Sequence, residues 1–281
     1  MHTIRVAHSP DSDDAFMYYG LACGAVEPVG IRFEQALSDI ESANAAAQEG
    51  RFDLTAISAA AYPSLAERYL LLDSGASFGD GYGPCVVVPA GSAVRRLEDL
   101  AGKRIATPGR RTSAALALAL RLPDHVAVPM DFKAVGPASL RGEVEAGVVI
   151  HEGQLTWRDE GLHALVDLGV WWGEQTGGLP LPLGGNVVRR NLGDAMIRRL
   201  ARLLRQAVEY ALANREAALD HSLRYARGLD RATADRFVGM YVNQRTVDYG
   251  ERGRQAVRLF LERAHQAGLI PRVPRLDFVA G

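Results

Sequence analysis

The chain has 281 residues, 48% of them hydrophobic, which is apolar material for two cores rather than one. Its 32 basic and 33 acidic side chains are interleaved and leave a formal net charge of −1, which excludes the clustered positive field that a nucleic-acid or anionic-membrane surface needs. Cys23 and Cys85 are the two cysteines, and no C-x-x-C or H-E-x-x-H spacing occurs, so no disulfide framework and no metal site are expected.

The N-terminus, Met1 to Pro10, runs directly into a strand with no basic leader or long apolar segment, so a cytoplasmic protein acting on a small molecule is expected. Ile4 to Ala7 reads as the first strand, and the polar turn His8-Ser9-Pro10-Asp11-Ser12-Asp13-Asp14 opens a helix over Ala15 to Cys23. Serine and aspartate at such a turn cap the free amides of the helix start. The same amides hold an anion when a ligand takes the place of the cap. Ser12 and Asp14 fit either part.

A strand over Ile31 to Ala36, an alanine-rich helix over Ile40 to Glu49 and a strand over Phe52 to Ile57 follow, and Ser58 opens a helix over Ala59 to Leu65. This alternation predicts a parallel sheet with crossover helices. Leu70 to Asp73 and Cys85 to Val88 are further strands, separated by Gly79-Asp80-Gly81-Tyr82-Gly83-Pro84. That loop precedes a strand and opens no helix, so it fails the context of a dinucleotide fingerprint; its glycines permit a tight loop or the close approach of a ligand. Both cysteines read as small buried hydrophobes.

The rhythm changes at Pro89-Ala90-Gly91-Ser92, after which Leu97 to Ala106 reads as a short helix, a turn and a new first strand. Pro108-Gly109-Arg110-Arg111-Thr112-Ser113 leads into a helix over Ala114 to Leu120, so its start carries two adjacent hydroxyls, one of them a cap. A strand over Val126 to Phe132 and a helix over Pro137 to Glu145 come next. The β-branched run Val148-Val149-Ile150 is then closed by His151. In open α/β sheets the ligand crevice lies beyond the carboxyl ends of the strands, so His151 is either delivered to it or is an ordinary strand-end histidine satisfied by a neighbour.

Leu165 to Leu168 is a further strand, Trp171-Trp172 pack in a core or stack on an aromatic ligand, and the Gly- and Pro-rich Gly177 to Gly185 reads as a return crossing. Asn186 to Arg189 is a returning strand. Amphipathic helices over Asp194 to Ala213, Arg215 to Ala226, Ala232 to Tyr241 and Gly250 to Ala267 then pack on the first lobe. Tyr241-Val242-Asn243 lies either at a cleft or on the surface. The expected organisation is α/β and two-lobed, with 1–88 and 186–281 forming a discontinuous large lobe and 89–185 an inserted small one. Each lobe is a mixed sheet flanked by helices, as in the type II periplasmic-binding-protein fold, where the ligand cleft lies between lobes.

Several segments agree in order with one family. Ser9-Pro10, Asp14 and Phe16, Gly79 to Pro84, Pro108-Gly109-Arg110 with Thr112, Glu143 to Glu152, Val166-Asp167-Leu168-Gly169 with Trp171-Trp172, and Leu179 to Gly184 resemble the 1,4-dihydroxy-6-naphthoate synthase family of the futalosine route to menaquinone. The resemblance implies that His151, in Ile150-His151-Glu152, is a general base. It also implies that Ser58, with Ala56 and Ile57 before it, and Thr112, Ser113 and Asp14 meet the substrate. Asp14 and Glu152 stand as candidate partners of the histidine. Two departures occur: members often read Ser-Pro-Cys-Pro-Asn-Asp where this chain reads Ser9-Pro10-Asp11-Ser12-Asp13-Asp14, and some have Lys at Ala56.

The reaction implied is a carbon–carbon lyase step on cyclic dehypoxanthinyl futalosine that leaves an aromatic dihydroxynaphthoate, with no metal and no organic cofactor. A base removes a proton so that electrons flow toward a carbonyl, work that neutral imidazole suits near pH 7. The substrate is a small carboxylate, and a monomer or homodimer is expected. The alternatives are chorismate dehydratase of the same pathway and a non-catalytic cytoplasmic receptor for a carboxylate ligand.

Overall fold

A computed structural model describes residues 1–225 and 229–281. The chain divides into two compact units, the first made of Met1–Ser77, Gly184–Arg254 and Pro274–Gly281, the second of Phe78–Leu183 and Gln255–Val273. In chain order the strands are β1 (His2–His8), β2 (Ile31–Leu37), β3 (Leu54–Ser58), β4 (Tyr69–Leu72), β5 (Ser77–Gly79), β6 (Cys85–Pro89), β7 (Arg104–Thr107), β8 (Val126–Pro129), β9 (Ala146–Val149), β10 (Leu162–Asp167), β11 (Leu181–Arg189) and β12 (Phe278–Val279). The chain leaves the first unit within β5 and returns within β11.

The sheet of the first unit runs β12-β4-β11-β3-β1-β2, with β1 parallel to β2 and β3 and β11 antiparallel to β3 and β4. Its core gathers Ile4, Val6, Phe16, Leu54 and Val188 under the helix Asp194–Ala213. That helix buries Ile197, Leu200, Ala201, Leu204, Ala207, Val208 and Ala211, a stripe at three- and four-residue spacing. Each fully buried leucine in it contributes roughly 1.5–3 kcal/mol.

The sheet of the second unit runs β10-β6-β9-β7-β8, with β7 parallel to β8 and β9 and β6 antiparallel to β9 and β10. The steps from β7 to β8 and from β8 to β9 run in opposite directions across the sheet. Right-handed crossovers therefore place the helices Ser113–Arg121 and Phe132–Leu140 on opposite faces. The second helix covers the face that carries Cys85, Val87, Ala106 and Val149, and it packs so closely that a Cβ on Gly147 would meet Val135 at 2.5 Å and the Ser139 hydroxyl at 2.8 Å.

Several elements differ from the sequence expectation. β6 lies in the second sheet, where Cys85 pairs with Val149 and Val86 with Val148, so the inserted unit begins at Phe78 rather than near Pro89. The last helix, Gly250–Gln266, passes into the second unit after Arg254, because Phe260 packs edge-on against Trp172 at 5.4 Å and Arg263 donates to the Gln175 carbonyl at 2.8 Å. The helix expected over Pro137 to Glu145 starts earlier, where Asp131 caps it through the Lys133 amide, and ends at Leu140 before Gly142 takes a φ of 71°. The helix expected over Ala15 to Cys23 is two, Ser12–Met17 and Tyr19–Ala22, broken at Tyr18. The helix expected over Arg215 to Ala226 runs Arg215–Ser222, and Ala226 lies outside the described residues.

Cys85 is buried, and burial pushes its thiol up to about 12, so it is inert at neutral pH. Cys23 is exposed, past the one buried residue of its helix, Gly20. The Gly79 to Pro84 loop uses its glycines for contact with its own chain: Gly83 packs on Gly169 so tightly that a Cβ on Gly83 would lie 2.7 Å from the Gly169 amide nitrogen. Asp167 caps the helix Leu168–Gln175 at that point through the amides of Gly169 and Val170. Among the described residues no helix is long and apolar enough to cross a membrane.

Candidate functional site

In the first unit the polar residues gather at the carboxyl ends of β1 and β3. The turn after β1 is tied to itself: the Ser9 amide donates to Asp14 at 2.6 Å, and the Asp11 amide donates to the Ser9 hydroxyl at 3.3 Å. Asp14 thus anchors the turn. Asp11 stands at the N-cap position without a side-chain cap bond, and the Ser12 hydroxyl, fully buried, caps nothing and has no partner among the described residues. His8 stacks on Tyr18 at 4.6 Å, and Tyr18 donates to Asn186, whose amide donates on to the Gly75 carbonyl.

Burial pushes the Asp14 carboxyl up, with the neighbouring His8 and the Ser9 amide pulling partly back. A carboxyl raised in the folded state stabilises the fold fully below its unfolded value of about 3.9, and that contribution is lost as pH rises through the folded value. Asp14→Asn keeps an acceptor for the Ser9 amide and removes the titration. The decline of the urea midpoint between pH 4 and 7 is therefore shallower in this variant than in the parent.

Ser58 ends β3 and is held by a residue the sequence reading passed over. Asn44 accepts from the Ser58 amide at 2.8 Å and donates to the Ser58 hydroxyl at 3.0 Å, all of it buried. The signal was legible: one amide among Ala43 and Ala47 on the buried stripe of the helix Ile40–Gln48 must find a partner. Asn44→Ala leaves two buried groups of Ser58 unpaired and costs about 1–3 kcal/mol, read as a lower urea midpoint. Ile57 sits wholly in the core with Tyr62, Leu65 and Val187, which leaves only its backbone for a ligand. Ala56 pairs across the ladder with Asn186.

In the second unit the corresponding edge carries Thr107, Thr112, Ser113 and His151. Thr112 caps the helix Ser113–Arg121, its hydroxyl accepting from the Ala115 amide at 3.2 Å, and the Ser113 hydroxyl donates to the Leu183 carbonyl at 2.6 Å. Both hydroxyls thus have structural work within the unit. β9 stops at Val149, so His151 lies in the turn beyond it rather than in the strand, half-buried, with its ring 4.9 Å from that of Phe132. Among the described residues His151 is the one non-glycine with positive φ, at 52°. A side chain in the left-handed region costs about 1–2 kcal/mol, and such strain gathers at functional sites. Trp172, in contrast, is core: it is fully buried and its indole N–H donates to the Pro180 carbonyl at 3.1 Å.

The sequence profile of the menaquinone biosynthesis family matches residues 4–266. The chain belongs to that family. Among its relatives, the 1,4-dihydroxy-6-naphthoate synthase of Thermus thermophilus is 43% identical over 99% of this chain and 100% of that protein. The 1,4-dihydroxy-6-naphthoate synthase of Streptomyces coelicolor is 37% identical over 96% and 95%. A crystal structure of a protein from Archaeoglobus fulgidus superposes with a TM-score of 0.90 at 44% identity, covering 96% of this chain and 99% of that one.

The alkanesulfonate-binding protein of Xanthomonas axonopodis pv. citri, solved with MOPS bound, gives a TM-score of 0.72 at 16% identity, over 97% and 95% of the two chains, and shares the fold alone. The menaquinone-family chain thus has the periplasmic-binding-protein-like α/β fold, two mixed sheets flanked by helices. Asn44, Asn186 and Thr107 are among the buried polar residues of this family member that the sequence reading did not single out.

Proposed function

We propose that the protein is a cytoplasmic lyase that converts cyclic dehypoxanthinyl futalosine to 1,4-dihydroxy-6-naphthoate, with His151 as general base. The observation that carries the reading is the match to the Thermus thermophilus synthase over 99% of this chain and 100% of that protein. The strained backbone of His151, just past the carboxyl end of β9, supports the role given to its imidazole. The base takes a proton from the carbohydrate-derived part of the substrate. Electrons then flow toward a carbonyl, a carbon–carbon bond breaks, and formation of the aromatic naphthoate drives the step.

The proposed carboxylate contacts in the second unit are the Thr112 hydroxyl and the amides at the start of the helix Ser113–Arg121, where the helix dipole favours negative charge. Ser58, Ala56 and Asp14 are the proposed substrate contacts from the first unit. Incubating the purified protein with cyclic dehypoxanthinyl futalosine and detecting the naphthoate by mass tests the reading. Tight binding with no product would make the protein a receptor, and consumption of chorismate instead would make it the dehydratase.

A further inference from the structure

β7 ends in Thr107, 1% exposed, whose hydroxyl has no hydrogen-bond partner among the described residues. A buried hydroxyl in that condition lowers stability, and its persistence calls for a use. The sheet sets its direction. Ala106 belongs to the face covered by the helix Phe132–Leu140, so strand alternation turns Thr107, like Ile105, to the opposite face. The right-handed crossover after β7 places the helix Ser113–Arg121 on that same opposite face. The Gly109 amide bonds back to the Thr107 carbonyl at 2.8 Å, a tight turn that keeps the strand end close to where the helix begins.

The hydroxyls already at that helix start are unequal. Ser113 gives its proton to the Leu183 carbonyl and so cannot donate it to an anion. Thr112 accepts from the Ala115 amide and keeps its proton to give. A carboxylate has two oxygens and is held best by two donors. We propose that Thr107 is the second hydroxyl donor to the substrate carboxylate, beside Thr112, and that its unpaired state without substrate is the cost of that function. The inference rests on the lyase reading above.

Thr107→Val keeps the shape and deletes the hydroxyl. The expected result is a KM raised about tenfold or more, from the loss of one hydrogen bond to a charged group, with kcat within about twofold of the parent. The urea midpoint of the substrate-free protein stays level or rises, because no bond is lost there. Thr107→Ser restores the donor and keeps KM within about threefold of the parent. A substrate analogue lacking the carboxylate shows no difference between parent and Thr107→Val. An unchanged KM in the valine variant, or a fall in its substrate-free stability, overturns the inference while leaving the lyase reading intact. Absence of naphthoate from the parent protein instead removes the lyase reading, and the inference with it.

Discussion

The His151→Asn variant is expected to turn over at least about a hundredfold more slowly than the parent, the loss typical of a missing general base. Asparagine is the informative replacement because His151 holds a φ of 52°, and asparagine tolerates the left-handed region better than other side chains of its size. The turn before the short helix Gly153–Thr156, in which the Gln154 amide bonds to the His151 carbonyl at 3.1 Å, therefore persists. A urea midpoint near that of the parent verifies this, and the kinetic loss is then assigned to the imidazole. Product formation within a few-fold of the parent would remove His151 from the mechanism. His151→Gly, which relieves the backbone strain, is expected to keep or raise stability while losing the same activity.

The second large effect is on folding. Trp172→Ala is expected to cost about 3–5 kcal/mol, read as a large drop in the urea midpoint. The indole is fully buried, meets Phe260 edge-on at 87° and carries the Arg263 guanidinium over its ring at 5.1 Å. Its removal also leaves the Pro180 carbonyl without its donor. Trp172→Phe keeps a ring against Phe260 and is expected to cost about 1–3 kcal/mol through the lost N–H. A tryptophan serving as a stacking platform for substrate would behave otherwise, with KM altered and stability hardly touched, and that outcome would sink the core assignment.

Much of the candidate site could be placed from sequence because strand ends and helix starts are marked locally. Ser58 closes a β-branched, apolar strand, Thr112 precedes an alanine-leucine helix, and His151 follows Val148-Val149-Ile150, each within a few residues of its signal. The helix Asp194–Ala213 was legible in the sequence, since its apolar stripe persists along all 20 residues. The resemblance to the menaquinone family was legible for the same reason: its segments are contiguous.

The order and type of the main elements, the β-α alternation of the first unit and the family were thus readable from the amino-acid order alone. Which sheet β6 joins, which unit receives Gln255–Val273, that Asn44 holds Ser58, and that Thr107 ends buried with its hydroxyl unpaired were decided only by the tertiary structure. The physical reason is one of range. Capping, periodicity and β-branched runs act between near neighbours, whereas the pairing of Cys85 with Val149, the packing of Trp172 on Phe260 and the two bonds between Asn44 and Ser58 exist only once distant segments have been brought together by burial of both sheets.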